Sequence, residues 1–123
     1  MAHKETIAKV RSKGEELRRT ARERTLGLDD LLFSTAEGAV RTIEDAAACH
    51  VDKATRGLSL LGYSEALISE AIDEKVEDPG VNEELHRLRV DLELLTEQGL
   101  VEALVEGCGC RSLPLVESLP TGT

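Results

Sequence analysis

Apolar side chains recur at alternating three- and four-residue steps along most of this chain, and that spacing constrains the fold more than any other feature. From about residue 3 to 25, Ile7, Val10, Gly14, Leu17 and Ala21 form a narrow stripe on an otherwise polar segment. Glu5 with Lys9 and Glu15 with Arg19 support it at four-residue ion-pair spacing. Between about 82 and 105, Val81, Leu85, Leu88, Leu92, Leu95 and Gly99 repeat the stripe, and Val90 and Leu94 add a second flank. A stripe this thin cannot hold a helix in water by itself, so each must lie on another helix. With no period-two alternation, the expected class is all-α, a bundle or long hairpin of about four helices.

Two further helices are expected between these. Leu32, Ala36, Ala39, Ile43, Ala47, His50 and Ala54 share a face over about 30–56, with Asp29 or Asp30 as a cap. Gly57 suits the end of that helix, and Leu58 to Gly62 reads as a connection. Ser64 then opens a helix over about 64–77 that buries Leu67, Ile68, Ala71, Ile72 and Val76. Asp78-Pro79-Gly80 is the strongest turn signal, and Asn82 is a candidate cap for the last helix. One helical domain over 1–106 is therefore expected, followed by a Cys-Gly-Cys and Pro-containing tail over 107–123.

The core must be built from Leu, Ile, Val and Ala, because Phe33 and Tyr63 are the only aromatics. Charge is placed unevenly. Residues 1–25 hold eight bases against four acids, and the remainder holds seven against twenty, a net of −13. An acidic body repels nucleic acid and anionic lipid at long range, which disfavours both as partners. The basic first helix is expected to pair with acidic helices of its own chain or of a sister subunit. The longest apolar run, Ala46 to Cys49, is far too short to span a membrane, and residues 1–5 contain no signal-like segment. The expected location is cytoplasmic.

Chemistry-bearing residues are few. Cys108 and Cys110, with Cys49 and His50, would complete a three-thiolate, one-imidazole zinc set or a thiol-redox module; otherwise no cofactor is expected. His50 and Lys53, on an Ala-rich helix, resemble the pair in histidine phosphotransfer domains; the resemblance implies a phosphoryl-accepting His50 with Lys53 neutralising phosphate. Glu83 and His86 have the Glu-x-x-His spacing of di-iron bundles, though only one such pair is present. Leu104 to Gly107 before Cys108 resembles the leader end of modified-peptide precursors, which implies a core peptide in the tail. Leu113, Leu115, Val116 and Leu119, between and beside Pro114 and Pro120, suit either docking into another protein's groove or folding back over the chain's own bundle. No phosphate loop, nucleophile elbow or His-Glu-x-x-His occurs.

The expectation that follows is a non-enzymatic interaction or assembly protein. It would self-associate through Ile7, Val10, Leu17, Ala21, Leu85, Leu88, Leu92 and Leu95 and bind another protein besides.

Overall fold

Helix α1 covers Ala2–Glu23, α2 Asp29–Ala47, α3 Val51–Lys75 and α4 Pro79–Ala103, with a π-helical turn at Leu104–Cys108. The computed structural model describes residues 1–23 and 27–108, and no strand occurs among them. The chain is thus a four-helix bundle. None of its described helices is long and apolar enough to cross a membrane.

Helix α1 packs chiefly on α4 and α2, whereas α3 packs mainly on α2 and only lightly on α4. The stripes explain the first pairing. Val10, Leu17 and Ala21 from α1 meet Leu85, Leu88 and Leu92 from α4 in one core with Leu32, Val40 and Ile43 from α2. Each such leucine, fully buried, contributes roughly 1.5–3 kcal/mol. Ile68 and Ile72 close the core from α3.

Seven of the eight positions expected to form an oligomer seam are buried inside this single chain, and Leu95 packs partly buried against the same core. The stripes of α1 and α4 face each other, so the surplus that pointed to self-association is taken up within one molecule.

Two glycines mark where helices approach most closely. A Cβ on Gly14 would lie 2.6 Å from the Cβ of Ala36, and one on Gly99 would strike Ile43 and Thr6. Gly99 therefore lies within α4 because α1 and α2 cross there, not as a break in the helix.

The long helix expected over 30–56 is two helices, turning at residues 48–50. Cys49 adopts φ 63°, and its N–H donates to Ala46 O while that of His50 donates to Asp45 O. This is a Schellman closure with cysteine where glycine or asparagine is usual. Gly57 and Leu58 to Gly62, expected as cap and connection, lie inside α3, which starts at Val51 rather than Ser64. Gly57 is there because a Cβ would collide with the Thr42 side chain.

Helix α4 likewise begins earlier than expected. Asp78 caps it, accepting from the N–H of Gly80 at 2.8 Å and of Val81 at 3.3 Å, with Pro79 at the first helical position. Asn82 instead donates to Asp73. Asp29 is not a cap either; it lies in the first turn of α2, paired with Arg18 and Arg22. Those two guanidiniums hold its carboxyl below the usual range.

The basic first helix finds acids within its own chain. Arg11 pairs with Glu37, Lys13 approaches Asp91 at 3.9 Å, and Arg18 also stacks 4.9 Å over Phe33. At its start, Ala2 and His3 N–H donate to the Glu106 carboxylate at 3.1 and 3.0 Å. Glu106 is held below its ordinary pKa by the His3 N–H first and the His3 ring second.

Candidate functional site

The fold-back at residues 48–50 sets α2 against α3 as an antiparallel pair, so residues equidistant from Cys49 face each other. Between them runs an open groove of about 530 Å³, within the size range of binding clefts. Gly38, Gly57, Leu60 and Leu61 are its apolar lining, and Ser34, Thr35, Thr42 and Ser64 contribute hydroxyls. Thr42 and Thr35 already donate to carbonyls of their own helix, Gly38 O and Leu31 O, so their hydroxyls reach the groove only as acceptors.

Three cations edge the groove: Arg41, Lys53 and Arg56, all exposed. None forms an ion pair with a described residue. Asp45 is the only acid in the lining, and His50 Nδ1 is 3.7 Å from it. On a protein of net charge −9, this is a local reversal of sign. A second concavity, lined by Cys49, His50, Val51, Asp52, Lys53 and Arg56, continues the groove around the corner.

The outer side of α3 extends the apolar surface. Leu60 is 68% exposed and Tyr63 67%, with Leu58 and Leu67 also open. Helix α3 therefore presents hydrophobic side chains on the side turned away from the core.

The residues singled out from sequence are placed as follows. Cys49 is exposed, disulfide-bonded, and in the left-handed conformation, so it is not a thiolate ligand in this state. His50 is exposed at the N-terminus of α3, beside Asp45, which would repel a phosphoryl group on its ring. Among the described residues no three His, Cys, Asp or Glu converge to hold a metal. The Cys108 side chain, Cys110 and the tail residues Leu113, Leu115, Val116 and Leu119 lie outside the described residues. Glu83 is exposed, and His86 Nε2 meets Asp73 at 2.7 Å instead of a metal. That histidine, then Asn82, lowers the Asp73 pKa.

Sequence reading missed the cationic groove and one carboxyl pair. Glu65 on α3 faces Glu93 on α4, and burial, then the hydrogen bond and charge of Glu93, push its pKa up to about 8. Arg89, bonded to Glu93 at 2.8 Å, opposes that shift, and Glu97 adds to it. Burial and the neighbouring Glu93 thus favour the protonated form of Glu65 well above the usual carboxyl range, where α3 meets α4. For the groove, a signal was available: between residues 26 and 86 the bases are Arg41, Lys53, Arg56 and Lys75. Three of the four are brought together once the chain turns at Cys49.

No protein-family model matches the chain, and no curated protein or solved structure matches it either.

Proposed function

We propose that this protein is a non-enzymatic helical interaction module whose α2–α3 groove binds an extended, apolar peptide segment carrying acidic side chains. The observation that carries the reading is a set of cations, Arg41, Lys53 and Arg56, without an ion-pair partner among the described residues, beside an apolar lining on an otherwise acidic molecule. Apolar contact supplies affinity in such a groove, and charge around its edge selects the partner and speeds encounter. Extended segments suit it because the two helices form a linear trough rather than a closed cavity.

Fluorescence anisotropy with a labelled Leu/Pro peptide bearing two Glu residues tests this on the full chain. The expected result is saturable binding that weakens at least tenfold in Lys53→Glu/Arg56→Glu and falls as salt rises. Equal binding of the same peptide with Lys in place of Glu, or indifference to the charge reversal, would overturn it.

A second reading, a thiol-redox module, is favoured by the disulfide at Cys49. The chain contains two other cysteines, Cys108 and Cys110, so a bridge to one leaves the other as a potential attacking thiol. Attack by a thiolate on the bridge would form a new sulfur–sulfur bond and release one bridged sulfur as thiolate. Titration of thiols in the native protein and after reduction distinguishes the states. The redox reading expects one thiol before and three after, with a midpoint inside the range set by glutathione mixtures.

A further inference from the structure

A segment combining apolar side chains, prolines and an acid also occurs in the same chain. We infer that residues 111–120, carrying Leu113, Leu115, Val116, Glu117 and Leu119, lie along the α2–α3 groove as its intramolecular ligand. This rests on the groove reading above and names its occupant.

Three observations carry the inference. The first is where the described chain stops. Gly107 lies directly on the backbone of Ala47, since a Cβ there would fall 2.5 Å from Ala47 O. The last described turn therefore ends at the fold-back between α2 and α3, at the Lys53 and Arg56 end of the groove. Cys49 at this corner is disulfide-bonded, and the only other cysteines in the chain are Cys108 and Cys110. A bridge to either holds the root of residues 111–120 at the groove's mouth.

The second is length. The groove runs along α2 from Asp45 to Ser34 and along α3 from Lys53 to Ser64. At 1.5 Å per helical residue that is about 17 Å. Residues 111–120 in extended form reach about 33 Å, so the segment spans the trough with slack to turn into it.

The third is chemistry. Leu113, Leu115, Val116 and Leu119 supply apolar side chains for the lining and for exposed Leu60 and Tyr63. Pro114 and Pro120 lower the ordering cost of an extended strand. Residues 111–120 carry one base, Arg111 at the root, and one acid, Glu117, which is opposite in sign to Arg41, Lys53 and Arg56; the segment is net neutral, so complementarity rests on Glu117 alone. Tethering then makes binding intramolecular, with an effective concentration on the order of millimolar, so weak contacts suffice. A partner entering the groove must first displace this segment.

The test places a benzophenone amino acid at Val116 in the full oxidised chain and maps photo-cross-links by mass spectrometry at 1 µM and 50 µM protein, roughly bracketing monomer conditions. Intrachain cross-links on residues 34–45 and 53–64, in a yield independent of concentration, are expected. Glu117→Lys should cut that yield at least fivefold, and adding Arg56→Glu should recover most of it. Cross-links confined to α1 or α4, formed only between molecules, or insensitive to the charge swap would overturn the inference. Any of those results leaves the groove reading to the added-peptide titration, so the two fail separately. A full chain with Leu113, Leu115, Val116 and Leu119 changed to Ser should bind the added acidic peptide at least tenfold more tightly than wild type. Equal affinity would count against an internal occupant.

Discussion

The two helix pairs of this bundle solve the same packing problem to different degrees. Helices α1 and α4 bring thin stripes together and bury them on a third helix, leaving Val10, Leu17 and Leu85 at 1% exposure or less. Helices α2 and α3 meet through small residues, Gly57 against Thr42, and their line of contact opens into a cationic trough lined in part by exposed Leu60, with Tyr63 outside it. Small residues let backbones approach closely but bring little apolar area, so a pair built on them keeps surface to offer elsewhere. The sealed pair holds the fold; the open pair is where the proposed recognition would take place.

The sharpest way to break this contrast is truncation on each side. Leu85→Ala should destabilise the protein by about 3 kcal/mol, within the usual range for a buried leucine, while Leu60→Ala should stay within about 0.5 kcal/mol. Urea unfolding checks both, and comparable losses would erase the distinction. Next in size are the glycines. Gly14→Ala should cost about 1–2 kcal/mol, because the rigid Ala36 Cβ blocks it and the gain in helix propensity offsets only part of the overpacking. Gly62→Ala, with nothing within 4 Å of the added Cβ, should stabilise by up to about 1 kcal/mol.

The corner joining the open pair comes third. Under reducing conditions, Cys49→Gly should be about 1 kcal/mol more stable than Cys49→Ala, since only glycine adopts φ 63° without strain. Equal melting of the two would show that the corner relaxes.

The smallest effect is expected from pH, and it acts where α3 meets α4. Glu65 binds its proton more tightly folded than unfolded, so the native state holds more protons between the ordinary carboxyl range and about pH 8. Its contribution is therefore complete in mild acid and lost as pH rises through about 8, when Glu65 and Glu93 repel. Half-burial and screening keep the effect modest. Glu65→Gln should flatten the decline in stability from pH 6 to 9, and hydrogen exchange should find the change in α3 and α4 rather than in α1.

The stripes of α1 and α4 and the all-α class were legible from three- and four-residue spacing alone. The partner of each stripe was not, because periodicity reports that a face must be covered but not whether by a neighbour in the chain or by another copy. The corner at 48–50 was hidden for a different reason. Ala46 to Cys49 contains no residue that disfavours a helix strongly, and the left-handed position is occupied by cysteine, whereas Gly57, the apparent stop signal, serves close packing. The groove could not be located until that corner was, since Arg41 and Arg56 are neighbours only across it. Asp78-Pro79 was readable as a boundary, but proline at a first helical position starts α4 where a turn had been expected.

The carboxylate of Glu106 receives the opening amides of α1, and Glu102 receives the Thr6 hydroxyl. The amides of Ala2 and His3 and the carboxylate that accepts from them are 104 and 103 residues apart in sequence. Until α4 is in place, α1 has neither its cap nor the leucines it lies on, and its thin stripe cannot hold it helical by itself. The contacts that fix α1 therefore close the longest loop in the bundle, and forming them carries its largest chain-entropy cost.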